Sequence, residues 1–138
     1  TLTQINRRVA GPGTALGPAM RVGAAHLSRR GQCWKRTLDI SGDGMANSGI
    51  RPAEVKAELA EQGITVNGLV IGADAPGFGD LRQAEISALS AYYSANVITG
   101  PDAVVQTALG YDEYADSMAR KLKRELEGLV LSSLNRQR

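Results

Sequence analysis

The stretch Thr37-Leu38-Asp39-Ile40-Ser41-Gly42-Asp43-Gly44-Met45-Ala46-Asn47-Ser48-Gly49 decides the fold class. It starts as a short strand-forming run around Leu38 and Ile40. It ends in a polar loop broken by Gly42, Gly44 and Gly49. A buried parallel strand that delivers polar oxygens at its C-terminal end is where α/β folds keep their sites. Glycine on both sides of Asp43 lets the backbone turn sharply and leaves the carboxylate clear of neighbouring bulk.

The segments on either side alternate in type. Leu2, Ile5 and Val9 recur at helical spacing and predict a short amphipathic helix over 1–9. A Gly- and Pro-containing loop follows, and Thr14 opens a helix over about 15–30. Leu16, Met20, Ala24 and Leu27 share one face of that helix, and Gly31 closes it. After the strand at 35–41, Pro52 starts a helix to about Gln62, and Gly63 ends it. The run Ile64–Ile71 predicts a strand buried on both faces. A helix over roughly 81–94, a short strand at 104–108 and a helix over 111–127 complete the pattern. Asp112, Glu113 and Asp116 near the start of the last helix, and Lys121, Lys123 and Arg124 near its end, match the helix dipole. The apolar tail Leu129–Leu134 reads as a frayed end or as a surface that docks elsewhere.

Strand and helix in alternation imply parallel strands in chain order. Three strands are few for such a sheet, and one edge is left unprotected. The expectation is that roughly half of the sheet lies outside this chain.

Composition bounds the rest. A chain of 138 residues is one domain at most. Net charge is +2 and no basic stripe alternates with aromatics, which argues against nucleic acid as a partner. No apolar run is long enough to span a bilayer. The start, Thr1-Leu2-Thr3-Gln4, carries neither Met nor a signal peptide and reads as an interior or processed end. Cys33, the single cysteine, reads as a small buried thiol near a strand start, or as half of a disulfide to a partner outside the chain.

Ready-made motifs fail. Gly11-Pro12-Gly13-Thr14-Ala15-Leu16-Gly17 has the wrong glycine spacing for a dinucleotide loop, and it has no Gly-Lys-Ser/Thr for a P-loop. Asp39-x-Ser41-x-Asp43-Gly44 opens like an EF-hand, but Ile50 stands where the bidentate Glu belongs. His26, the only histidine, sits mid-helix without a nucleophile partner. What remains is an oxygen-rich pair of loops. Thr14 is an N-cap or a ligand, and Asp43 is an Asx-type turn or a ligand. Together they point to a hard cation, because Mg²⁺ takes carboxylate, hydroxyl and water oxygens.

These residues carry a resemblance. Gly13-Thr14-Ala15-Leu16-Gly17-Pro18-Ala19-Met20, then Asp39-Ile40-Ser41-Gly42-Asp43-Gly44 with Asn47, then Gly63–Gly72, and last Tyr111-Asp112-Glu113-Tyr114-Ala115 follow the order and spacing of a von Willebrand factor type A (VWA) domain. The chain looks closest to an exported bacterial VWA-like family of unknown function. The resemblance implies a doubly wound, mainly parallel, Rossmann-like sheet, with residues 1–128 as the C-terminal part of one domain and 129–138 as a tail. It also implies a metal-ion-dependent adhesion site. Thr14 matches the site's Thr and Asp43 its Asp, and the Asp-x-Ser-x-Ser loop belongs to a strand before Thr1. In a rival register Leu38–Asp43 is itself that first motif, with Asp39 and Ser41 as ligands. The motifs that follow favour the first register. Asp39 is unusual in either case, since a buried Asp needs partners.

The function implied is a non-enzymatic, metal-dependent protein-binding module. Its cation would be Mg²⁺, with Ca²⁺ or Mn²⁺ as alternatives, held weakly or not at all by this chain alone. An acidic side chain of a protein partner would complete the coordination. The alternative is a structural subunit with a degenerate site, docked to a missing N-terminal segment or to another subunit. The resemblance also implies a periplasmic or extracellular location.

Overall fold

The computed structural model describes the backbone of residues 11–72 and 79–135, with side chains at 11–72 and 83–128. The elements run α1 (Leu16–Ser28), β1 (Arg36–Gly42), α2 (Pro52–Glu61), β2 (Ile64–Ile71), α3 (Gly79–Asn96), β3 (Val105–Ala108) and α4 (Tyr111–Asn135). The three strands form one all-parallel sheet in the order β1-β2-β3. This is an α/β fold of the doubly wound, Rossmann-like kind, as the alternation predicted.

Local chemistry explains the boundaries. Pro52 is in the first turn of α2, where its missing N–H costs nothing. Gly63 ends the helix at φ 68, a conformation an L side chain resists. All eight residues of β2 are buried, as the central strand of a covered sheet requires.

The two sheet faces differ in chemistry. On one face, Leu38, Ile40, Ile64, Val66, Val70 and Val105 pack against α1, α2 and α3. Met20, Val55, Leu59, Tyr93 and Val97 are fully or almost fully buried there. Each such aliphatic side chain contributes about 1.5–3 kcal/mol on leaving water. The opposite face, one residue out of phase along each strand, is largely polar: Thr37, Asp39 and Ser41 of β1, Thr65 and Asn67 of β2, Gln106 of β3. Helix α4 lies on that face, against β2 and β3. Its Lys121 is 1% exposed and forms ion pairs with Asp39 and, at 2.8 Å, with Glu125. Asn67 Nδ2 donates to Glu125 at 2.8 Å and to Asp39 at 3.4 Å, and its Oδ1 accepts from Val104 N. The unexpected acid in β1 therefore has a buried lysine and an amide as partners.

Several boundaries differ from expectation. Helix α1 stops at Ser28, and residues 29–32, Gly31 among them, form turns. Helix α3 begins earlier and ends later than 81–94. Helix α4 runs through Asn135, so the apolar tail is helical. Gly128 alone, at about 1 kcal/mol relative to Ala, does not stop a run flanked by good helix formers. Cys33 is exposed, correcting the buried-thiol reading. It sits in the turn between α1 and β1, before the strand begins to bury side chains. The helix expected over 1–9 lies outside the described residues.

Candidate functional site

Two loops meet at the C-terminal end of β1. The loop before α1 brings Thr14, and the loop after β1 brings Asp43, Gly44 and Asn47. They are joined in both directions. Thr14 N donates to Asn47 Oδ1 at 2.7 Å, and Asn47 N donates to Thr14 O at 3.0 Å. A methyl group placed on Gly44 would lie 3.7 Å from Thr14 Oγ1, so the threonine hydroxyl stands next to the residue that follows Asp43. The close approach uses glycine. A Cβ at Gly13 would press on Ser48 at 3.0 Å, and Gly49 adopts φ 74 against Pro18.

Thr14 is not a helix cap. The N-cap position of α1 is Ala15, with no side-chain cap hydrogen bond. That removes the structural role expected for the hydroxyl and leaves it turned to the loop junction. Asp43 is not explained by a local turn either, since its Oδ2 accepts a hydrogen bond from Tyr111 Oη at 2.9 Å, across to the start of α4.

Two further tyrosines support the loop from α3. Tyr92 Oη accepts from Ala46 N at 3.3 Å. Tyr93 is fully buried, with its ring across Gly68 and its hydroxyl against Gly42. A side chain at either glycine would displace it. Its hydroxyl has no hydrogen-bond partner among the described residues. Burial first, then the Asp43 charge and Tyr92, push its pKa up to about 12. Beside the loop is a cavity of about 300 Å³, with Ile71, Ile86 and Leu89 as its apolar wall and Asp43, Met45 and Glu85 at its margin.

A carboxylate and a hydroxyl are hard donors and suit Mg²⁺, Ca²⁺ or Mn²⁺ in kind. In number they fall short: among the described residues no three His, Cys, Asp or Glu side chains gather as a metal cluster. Asp39, a ligand in the rival register, is not in this junction. Asp39 is committed to Lys121 and Asn67 inside the sheet face. His26 is exposed on α1.

Sequence reading named Thr14 and Asp43 and missed their partners. Asn47, an amide four residues after Asp43 in a glycine-rich loop, is a natural bridge between loops. Tyr111 was visible as the first residue of a helix that begins at the same sheet edge. Nothing in the spacing marked Tyr92 and Tyr93 as supports of that loop.

No curated protein and no solved structure matches the chain. A family model does match, over residues 1–130, so nearly every element described above falls within its span. The chain belongs to the family described as protein of unknown function, DUF1194.

Proposed function

We propose that this chain is part of a VWA-like domain and acts as a non-enzymatic, metal-dependent protein-binding module. The observation that carries the reading is the reciprocal Thr14–Asn47 link, which fixes a hydroxyl beside the Asp43 loop at the C-terminal end of a parallel sheet. In this reading Thr14 and Asp43 hold Mg²⁺, or Ca²⁺ or Mn²⁺ in its place. Water, other polypeptide and an acidic side chain of a protein partner supply the remaining oxygens. Two protein oxygens compete poorly with the hydration shell of Mg²⁺, so this chain alone binds it weakly. Calorimetric titration of the full-length protein with Mg²⁺ tests the reading. Asp43→Ala is expected to abolish the heat of binding with little change in melting temperature, and equal affinity in both proteins would remove Asp43 from the site.

A second reading, a scaffold subunit with a degenerate site, draws on one observation: Tyr111 already occupies a carboxylate oxygen of Asp43. Tyr111→Phe separates the two. In the metal-binding reading it frees an oxygen and raises Mg²⁺ affinity; in the scaffold reading no affinity emerges. A periplasmic or extracellular location is part of the proposal and is tested by fractionating cells that express the full-length protein.

A further inference from the structure

The polar sheet face contains a second cavity, away from the Asp43 loop. It has a volume of about 250 Å³ and lies between the N-terminal half of the sheet and the later turns of α4. By the volume a water occupies in the liquid, that is space for roughly eight waters. Its lining includes Asn67 and Lys121, which are 3% and 1% exposed.

The polar groups around it fall into two sets. Lys121, Glu125 and Asn67 bond one another and Asp39, so their capacity is largely used. Other side chains of the lining have spare capacity. Gln106 Oε1 is closed off from solvent and has no hydrogen-bond partner among the described residues. Such a buried acceptor is costly unless something donates to it. Lys35, Arg124 and Asp102 stand around the same cavity without an ion pair to any described residue. The site therefore offers an orphaned acceptor, two cations and a carboxylate, around a space too small for a peptide.

We propose that this cavity binds a small zwitterion of free-amino-acid size. Its carboxylate would face Lys35 and Arg124, and its ammonium group would donate to Gln106 Oε1 and Asp102. The paired Lys121 and Glu125, with Asp39 behind Lys121, act as a rigid polar wall that keeps the cavity from collapsing onto apolar packing. A ligand with one charge only would leave Asp102 or the two cations unanswered.

The test uses the full-length protein and the twenty free L-amino acids, screened by saturation-transfer NMR and then by calorimetry. At least one should bind with a dissociation constant at or below roughly millimolar. Acetate and methylamine, each carrying one of the two charges, should bind at least about tenfold more weakly, the scale of one lost charge-assisted hydrogen bond. Gln106→Leu should abolish binding while raising the melting temperature of the free protein, because it removes an unsatisfied buried acceptor. Arg124→Glu, at an exposed position, should weaken binding about tenfold or more on the same scale without affecting the melt. Asp43→Ala should leave binding unchanged. If no amino acid binds, the proposal is wrong. It is equally wrong if acetate or methylamine binds as well as the amino acid, or if both Gln106→Leu and Arg124→Glu bind normally.

Discussion

Thr14 and Asn47, thirty-three residues apart, hold each other by two hydrogen bonds: amide to side-chain oxygen at 2.7 Å and amide to carbonyl at 3.0 Å. This pair fixes the geometry of the candidate site, because it sets where the Thr14 hydroxyl stands relative to the Asp43 loop. Of the Asn47 side chain only the oxygen serves, accepting from Thr14 N. Asn47→Ala should therefore cost about 1 kcal/mol in urea denaturation, the net worth of an ordinary hydrogen bond. Asn47→Asp, which keeps the acceptor, should be close to wild type. Equal destabilisation by both would show that the acceptor is not what matters.

Tyr93 makes a sharper prediction about packing. Gly42→Ala drives a methyl group into its hydroxyl, so that substitution should destabilise the fold by about 1–3 kcal/mol. Tyr93→Phe removes the obstructing oxygen, which has no partner to lose, and by itself should be nearly neutral. The double variant should recover most of the loss, and a double-mutant cycle measures this. Strict additivity would contradict the contact.

The same residue gives a pH dependence with a definite sign. Its folded pKa, about 12, lies above the ordinary value of 10.0 because burial disfavours the phenolate. Below pH 10 the hydroxyl is neutral in both states and its contribution is constant. Between about pH 10 and 12 the unfolded chain ionises and the folded chain does not, so stability falls by on the order of 2 kcal/mol. Tyr93→Phe should remove that part of the alkaline loss, measured by denaturant titration across the window.

Lys121 closes the polar face, and its removal leaves two carboxylates without a cation. Lys121→Met should cost about 3 kcal/mol, the lower end for a broken buried pair, since Asp39 and Glu125 are each about a quarter exposed. Adding Asp39→Asn and Glu125→Gln should return part of it. Chemical denaturation of the single and triple variants decides the matter.

The outer edge of β1 carries a prediction about assembly. Among the described residues no strand pairs with it, and Trp34 beside it is 56% exposed. Helix α1 sits on the same face as α2 and α3, and its start is at the C-terminal end of the sheet. A right-handed crossover of that kind connects β1 to a parallel neighbour on this open edge. Hydrogen exchange in the full-length protein should therefore show the outward-facing amides of β1 protected, as a strand paired on that edge requires. Fast exchange of those amides in the full-length protein would count against an additional strand.

The fold was legible because its signals are local and periodic. Pro52 and Gly63 bracket α2, and the unbroken burial of Ile64–Ile71 marks the central strand. Less was legible where the deciding contact is distant. Asp39 looked anomalous until Lys121, eighty-two positions later, was seen against it. Cys33 is exposed because the strand starts at Arg36, a boundary that propensity alone does not place. The tail after Gly128 continues as helix because one weak residue does not end a long favourable run. At the site, Thr14 and Asp43 could be named from residue type and loop position. The bonds from Asn47 and Tyr111 depend on how the loops fold back, which no spacing encodes.

The central claim is that Thr14 and Asp43 bracket a hard-cation site, and paramagnetic broadening by Mn²⁺ tests it most directly, since it detects weak binding. Substoichiometric Mn²⁺ added to the ¹⁵N-labelled full-length protein should first broaden the amide signals of Thr14, Asp43, Gly44 and Asn47, and excess Mg²⁺ should restore them. In Asp43→Ala the selective broadening should vanish. Broadening centred on other acidic residues, or unchanged in Asp43→Ala, would contradict the account.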